Sequence, residues 1–389
     1  MRRNCAGIKN MIKISDDYVL RSLHGSNYLI PIGQKIASGR PCIELNECGV
    51  LLWNAIRSGV QEDNLENVLR EHYNTNDITA AELAKDARAF LTRLIHAGAL
   101  IDDRTFSGKP DKYFCIAGLT IAFNGHTPCL DASLNDFTCG EADKITQNWI
   151  LRPLIFMPAF SGEIIINNKQ LTLFLCEEYY ILMFPENKHL QMIRISRDGS
   201  AAEFFYDYSV TEDAKAELFY GMRNAFLIIA QNNGLFALHS ASIAYGGRAW
   251  LFSGRSGTGK STHTALWNRL YHTECINGDI NLIGMKEDQA MVYGTPWCGT
   301  SGIYSAKTYQ LGGIVLLKQA SENEVRELPE ANRQLLLFQR FISPSWFVWQ
   351  VDKILAFADE LQSHTNVCQL MCNTHPDAAQ TMKAYIDSL

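Results

Sequence analysis

Residues 254–261 read Gly-Arg-Ser-Gly-Thr-Gly-Lys-Ser, a string that meets G-x-x-x-x-G-K-[ST] at every fixed position. The chemistry this implies is phosphate binding. Gly254, Arg255, Ser256, Gly257, Thr258 and Gly259 make a turn whose glycines let backbone N–H groups converge on phosphate oxygens. The helix start that follows adds partial positive charge, and Thr262 continues the binding segment. Lys260 would reach the β- and γ-phosphates of a bound nucleotide, and the Ser261 hydroxyl would ligate Mg²⁺. Two further strings carry chemistry: Asn277-Gly278-Asp279 places a carboxylate at a strand end, and Leu238-His239-Ser240-Ala241 offers an imidazole. Phosphoryl transfer needs a phosphate cradle, a metal, a carboxylate to hold metal or accept a proton, and positive charge for the transition state. Lys307 and Arg340 are the candidates for added charge, but each reads as a solvated surface cation.

The elements that must position these groups are legible around them. Residues 249–253 predict a strand, and residues 262–271 a helix free of Gly and Pro with Leu266 and Leu270 on one face. Gly246-Gly247 predicts a hairpin between strands at 242–245 and 248–252, with His239 at its entry. A helix over about 210–232 repeats Leu218, Met222, Ala225, Phe226 and Ile229 at helical spacing. Residues 294–302 are turn-rich after a strand at 291–293, and read either as a tight turn with Trp297 buried or as a substrate contact. Short strands are expected at 114–123, 163–166, 171–175, 180–184 and 192–195, with a turn at Asn167-Asn168. No catalytic constellation is visible in 113–210.

The first hundred residues have a different grammar. Strands at 18–23 and 28–32 flank Gly25-Ser26-Asn27, which predicts a hairpin. Asn46 caps a helix carrying Leu52, Trp53 and Ile56, and a second helix spans 65–73. Thr79-Ala80-Ala81-Glu82 is a capping box, and behind it Leu83, Ala87, Phe90, Leu91, Leu94 and Ile95 form a stripe that Gly98 ends. A polar linker over 102–110 separates this domain, 14–104, from a second at 113–389. The second divides into a β-rich shoulder, 113–210, and a nucleotide core, 235–318.

Composition bounds the rest. The chain of 389 residues is 47% hydrophobic and 20% charged, as globular proteins are, and is long enough for two or three domains. A net charge of −6 argues against nucleic acid as a partner. No apolar run approaches a membrane span and no signal sequence follows Met1, so a cytoplasmic protein is expected. The eleven cysteines lack any C-x-x-C and read as reduced thiols, Cys368 and Cys372 included.

Two resemblances sharpen these expectations. Leu238-His239-Ser240-Ala241-Ser242, the Gly254–Ser261 loop, Ile276-Asn277-Gly278-Asp279 and Gly294-Thr295-Pro296-Trp297-Cys298-Gly299 together resemble the HPr kinase/phosphorylase-like branch of P-loop proteins, which shares its fold with phosphoenolpyruvate carboxykinases. The resemblance implies catalytic roles for Asp279 (metal partner or general base), His239 (beside that carboxylate) and Lys260, with Mg²⁺ held by Ser261 and Asp279. This chain departs from the family's two successive aspartates by carrying Gly278, which leaves one carboxylate, or assigns a second metal contact to Asn277 or another residue. In the N-terminal domain, Ile43-Glu44-Leu45-Asn46-Glu47, Leu52-Trp53, Phe90-Leu91 and Ala97-Gly98-Ala99-Leu100-Ile101 resemble the PqqD-like peptide-recognition domain. That resemblance implies a winged-helix-like α+β domain that takes the leader of a precursor peptide as an added strand on the 28–32 hairpin edge, against the third helix.

The expectation is therefore an α/β protein: a small winged-helix-like domain fused to an HPr-kinase-type P-loop domain. It would phosphorylate a Ser or Thr hydroxyl of a captured precursor peptide, using ATP and Mg²⁺. Two alternatives stay open, a kinase of small hydroxylated molecules and an ATP- and peptide-binding scaffold without turnover. Oligomeric state is also open, a homo-oligomer being what the kinase family offers.

Overall fold

The computed structural model describes residues 12–33, 36, 41–60, 62–73, 79–102, 109–154, 157–158 and 160–389. The chain forms two compact units, Met1–Lys109 with Pro153–Met157, and Pro110–Arg152 with Pro158–Leu389. Most of the linker expected over 102–110 lies outside the described residues.

In the smaller unit the strands Tyr18–Leu23, Ser26–Pro31 and Ile43–Leu45 form an antiparallel sheet in that order. The hairpin is tighter than the sequence suggests. Leu23 pairs with Ser26, and His24 and Gly25 turn with φ of 52° and 90°. Two successive positive φ values are what the twist of a two-residue hairpin demands. Asn46 accepts from the Gly49 N–H at 2.9 Å to start the helix Glu47–Arg57. Thr79 and Glu82 complete a capping box on the helix Ala80–Ala97, which stops at Gly98 with φ 77°. Leu29, Leu52, Trp53, Leu65, Leu91 and Leu94 close the core. One expectation is corrected: Ser26–Pro31 is the middle strand, and among the described residues the outer strands of this sheet are Tyr18–Leu23 and Ile43–Leu45.

The larger unit holds a nine-stranded and an eight-stranded sheet, a mixed α/β architecture. The nine-stranded sheet occupies the β-rich region. The single strand expected at 114–123 is instead a hairpin, Lys112–Ile116 and Leu119–Asn124, because Ala117 and Gly118 turn with φ of 53° and 78°. The helix Glu212–Asn232 is capped by Thr211, and Leu218, Met222, Ala225, Phe226 and Ile229 are all buried in the cluster that joins both sheets. Replacing Phe226 by Ala there would cost about 3–5 kcal/mol, from lost burial plus the cavity left behind.

In the eight-stranded sheet Arg248–Ser253 runs antiparallel to Leu235–Tyr245 on one side and parallel to Thr308–Gln319 on the other. Ile280–Lys286 and Gln289–Tyr293 complete the circuit between those neighbours, and Asn366–Cys372 extends the parallel side. Leu235–Tyr245 has eleven residues, so His239 sits in mid-strand, opposite Ile280, and not at a strand entry. Among the described residues no helix is long and apolar enough to cross a membrane.

Candidate functional site

The strand Arg248–Ser253 ends in Gly254, and the helix Lys260–Tyr271 begins six residues on. Gly254 has no room for a side chain: a Cβ there would lie 2.4 Å from Thr258 Oγ1. Gly257 and Gly259 turn with φ of 78° and 101°, conformations that other residues enter only under strain. Thr258 Oγ1 donates to the Arg255 carbonyl at 2.6 Å, and Lys260 Nζ donates to the Gly254 carbonyl at 3.3 Å, laying the ammonium across the loop. Ser261 and Thr262 are exposed on the first helical turn. A side chain at Gly254 or an ordinary φ at Gly257 and Gly259 would therefore deform the loop.

Behind the loop the helix is fixed by a buried histidine. His263 packs on Phe252 and accepts from Trp267 Nε1 at 3.2 Å. Burial drives its pKa down to about 4. The folded pKa lies below the unfolded value near 6.5, so His263 contributes stability above that value and loses it as pH falls toward 4. Unfolding free energy should drop by up to about 3 kcal/mol across this interval. His263→Gln, which keeps an acceptor for Trp267, should flatten the drop in denaturant titrations at pH 7 and pH 4.

Asp279 follows the strand Glu274–Asn277, and its carboxylate accepts from His239 Nε2 at 3.1 Å. That hydrogen bond is the main reason its pKa lies below the ordinary carboxylate value; burial opposes the shift, while His239, Arg223 and Lys260 add favourable charge. Asn277 is 2% exposed and places the aspartate. Its Oδ1 accepts from the Asp279 and Ile280 N–H groups, both at 2.9 Å, and its Nδ2 donates to the Thr295 and Trp297 carbonyls. The Asn277 amide is therefore spent on backbone, which removes it as a second metal contact. Beneath it Ser240, Ser242 and Asn281 form a buried hydrogen-bonded chain.

The turn-rich segment closes over this aspartate. Trp297 is buried against Phe226 and Phe219, and its Nε1 donates to the Phe219 carbonyl at 3.0 Å. Gly299, at φ 60°, lies so close that a Cβ would sit 2.9 Å from Asp279 Cγ. Ser301 explains the glycine that precedes the aspartate: a Cβ on Gly278 would stand 2.1 Å from Ser301 Oγ. Ser301 is itself held by its bond to the Cys298 carbonyl at 2.6 Å. The space a second carboxylate would need is filled. Gly278→Ala should cost about 1–3 kcal/mol by overpacking, and Ser301→Gly should recover most of it in a double-mutant cycle read by urea denaturation.

Two further cations border this region: Arg223, which the sequence does not single out, faces Asp279, and Arg340, a candidate for added charge, faces Lys260. Arg223, on the helix Glu212–Asn232, packs its guanidinium 5.0 Å from the Tyr220 ring and leaves Nε buried with no hydrogen-bond partner among the described residues. Burial lowers its pKa, and Asp279 pulls it back up. Arg340 was read as a surface cation; it is instead half-buried, its pKa lowered by burial and then by Arg255. The backbone explains its position, since the Arg340 carbonyl accepts from the His239 N–H at 2.9 Å and Leu238 bridges Phe341. Lys260 has a lowered pKa, from burial first, with Asp279 opposing and Arg340 adding to the shift. Lys307 does lie at the surface, paired with Glu274 at 3.0 Å. No sequence signal marked Arg223, because its spacing on the helix is not that of the buried stripe.

Among the described residues no three His, Cys, Asp or Glu side chains gather as a metal site. Cys368 and Cys372 are buried on the strand Asn366–Cys372, and burial raises both thiols. One carboxylate and one hydroxyl suit Mg²⁺, which keeps several waters and takes phosphate oxygens for the rest of its shell.

The site thus defines an α/β protein with a glycine loop between strand and helix, and a His–Asp pair near its lysine. No protein family and no curated protein matches the chain. Among solved structures it is similar to the Hpr(Ser) kinase/phosphatase from Coxiella burnetii, at 8% identity and a TM-score of 0.24, over 39% of this chain and 97% of that one. At that score the likeness carries no argument.

Proposed function

We propose that the larger unit is a kinase that transfers the γ-phosphate of ATP to an alcohol. The observation that carries this is the His239–Asp279 pair at 3.1 Å, sharing one electrostatic neighbourhood with Lys260 and Arg223 beside the glycine loop. Such a carboxylate beside cations is what transfer to a hydroxyl uses, and what simple nucleotide storage does not need. Backbone N–H groups of Gly254–Gly259 and Lys260 would hold the triphosphate, and Mg²⁺ on Ser261 and Asp279 would offset its charge. Asp279, kept anionic by His239, orients the acceptor hydroxyl and takes its proton as the oxygen bonds to the γ-phosphorus. The bond from that phosphorus to the β–γ bridging oxygen breaks, and ADP leaves with the electron pair. Arg223 and Lys260 supply positive charge where it accumulates on the equatorial oxygens.

The acceptor we propose is a Ser or Thr of a precursor peptide whose leader is held by the smaller unit, a PqqD-like module. What supports this is an outer strand among the described residues, Ile43–Leu45, flanked by the helix Ala80–Ala97, whose Arg93 donates to the Glu44 carbonyl at 3.3 Å and would yield that carbonyl to an added strand. A peptide adding there would make main-chain bonds, and tethering would raise the effective concentration of its hydroxyls. The site's single carboxylate keeps a non-catalytic scaffold as the second reading. The test is phosphate transfer from labelled ATP with Mg²⁺ to a leader-bearing peptide encoded beside this gene, against the leaderless peptide and free serine. Transfer to the first alone is expected, with Lys260→Ala at background. Transfer to free serine at equal rate would replace the peptide by a small molecule, and tight ATP binding without transfer to any acceptor would leave the scaffold.

A further inference from the structure

A cleft of about 490 Å³ opens where the helix Glu212–Asn232 ends and the chain turns through Gly234 into the strand Leu235–Tyr245. Small-molecule sites span about 300–1,000 Å³, so the cleft has the volume of a ligand site. It is not part of the phosphate site. Leu235 pairs with Gly284 and His239 with Ile280, which puts the cleft and Asp279 at opposite ends of one strand pairing. The facing wall is a stripe of the helix Val348–His364, on which Lys353, Phe357 and Glu360 follow one another at helical spacing. Phe357 stacks on Phe236 at 4.3 Å, and with Leu235 and Met285 it makes one side of the cleft apolar.

The other side is built of hydrogen-bond acceptors. Gln231 is 2% exposed, and its Nε2 donates to the Pro344 carbonyl at 2.9 Å. A carbonyl only accepts, so this bond fixes which way the amide lies, and Oε1 is left without a partner among the described residues. Asn232 and Asn233 repeat the arrangement. Their Nδ2 groups donate to the Asp198 carbonyl at 3.0 Å and the Ile229 carbonyl at 2.8 Å, and neither Oδ1 takes a bond from the described residues. The helix C-terminus adds partial negative charge at the same place. Among the described residues of the lining Glu360 is the one acid and Lys353 the one cation. The Lys353 ammonium rests 5.0 Å from the ring of Trp349, which lies outside the cleft.

We propose that this cleft binds an organic ammonium ion, a protonated amine carrying an apolar body. Three amide oxygens with no donor offered to them, a helix C-terminus and a carboxylate all favour a positively charged donor. An ammonium brings three N–H groups to such a set, and bonds from a charged donor are stronger than neutral ones. An alcohol brings one O–H, and a carboxylate brings no donor. Leaving the buried Gln231 Oε1 unpaired costs free energy that a donor in the cleft recovers. The apolar body lies against Phe357, Leu235 and Met285 and is removed from water there.

Chemical-shift titrations of the full chain at pH 7 with hexylamine, hexanol and hexanoate test this, since the three share one body and differ in charge and donors. Hexylamine should bind at least about tenfold more tightly than either of the others. Gln231→Met, of similar size without the acceptor, should weaken hexylamine about tenfold and hexanol by less. Glu360→Lys should weaken hexylamine about fivefold. Glu360 is exposed, so this second variant folds whatever the first does to the Pro344 bond. Hexanol bound as tightly as hexylamine makes the cleft an apolar groove and overturns the ammonium site. Hexanoate bound more tightly than hexylamine hands the cleft to Lys353 and overturns it as well. So does hexylamine binding that both substitutions leave unchanged, or no binding of any of the three.

Discussion

Asp279→Asn is expected to lower phosphate transfer by about three orders of magnitude while nucleotide affinity stays within a few-fold. General-base groups contribute roughly 10²–10⁴ in rate, and an amide can still accept a hydrogen bond but cannot take the proton. Single-turnover transfer and equilibrium binding separate the two quantities. A fall in affinity as large as the fall in rate would make Asp279 a ligand for the metal-bound nucleotide alone. The pH dependence follows from the lowered carboxyl pKa, whose largest cause is the bond from His239. The anion persists below the ordinary carboxylate range, so the acid limb of transfer lies there too, and His239→Ala should move that limb upward. The sign for stability is the same. Asp279 contributes stability above its unfolded pKa and loses it as pH falls through the folded one. The deficit of Asp279→Asn against the parent should therefore be present at pH 7 and vanish in acid.

Arg223→Met is expected to act in opposite directions on stability and on rate. The guanidinium is buried, its Nε has no hydrogen-bond partner among the described residues, and burial is the first cause of its lowered pKa. An ionised group buried without hydrogen-bond partners carries a desolvation cost, which an apolar chain of similar length does not. The same change removes charge facing Asp279, and loss of one electrostatic contact to a transferring group costs about 10²–10³ in rate. A higher urea midpoint together with slower transfer identifies a group retained for chemistry at the expense of stability. A lower midpoint with unchanged transfer would make Arg223 a structural clamp on Asp279.

The local elements were legible because their causes are local. The capping box at Thr79 and Glu82, the Asn46 cap, the Gly246-Gly247 hairpin and the glycine loop all depend on residues within a few positions of one another. Pattern failed where two residues redirected an apolar run, as Ala117-Gly118 did, and where strand length depended on distant partners. Leu235–Tyr245 reaches eleven residues because it pairs with three strands, none adjacent to its first half in sequence. His239 moved from the strand's entry to its middle for that reason.

By itself the sequence determined the glycine loop: glycines at 254, 257 and 259 followed by Lys260 and Ser261, with φ at 257 and 259 that few other residues permit. It also determined that one carboxylate stands at 279. Only the tertiary structure decided what surrounds that carboxylate. Arg223 lies 56 positions away and Arg340 61 positions away, counted from Asp279, and both reach the neighbourhood through packing and strand pairing. Ser301, fixed by its own turn, fills the space that a side chain at Gly278 would take. Spacing encodes contacts made within a turn, whereas these contacts are set by which surfaces bury one another, and a single chain read in order does not contain that choice.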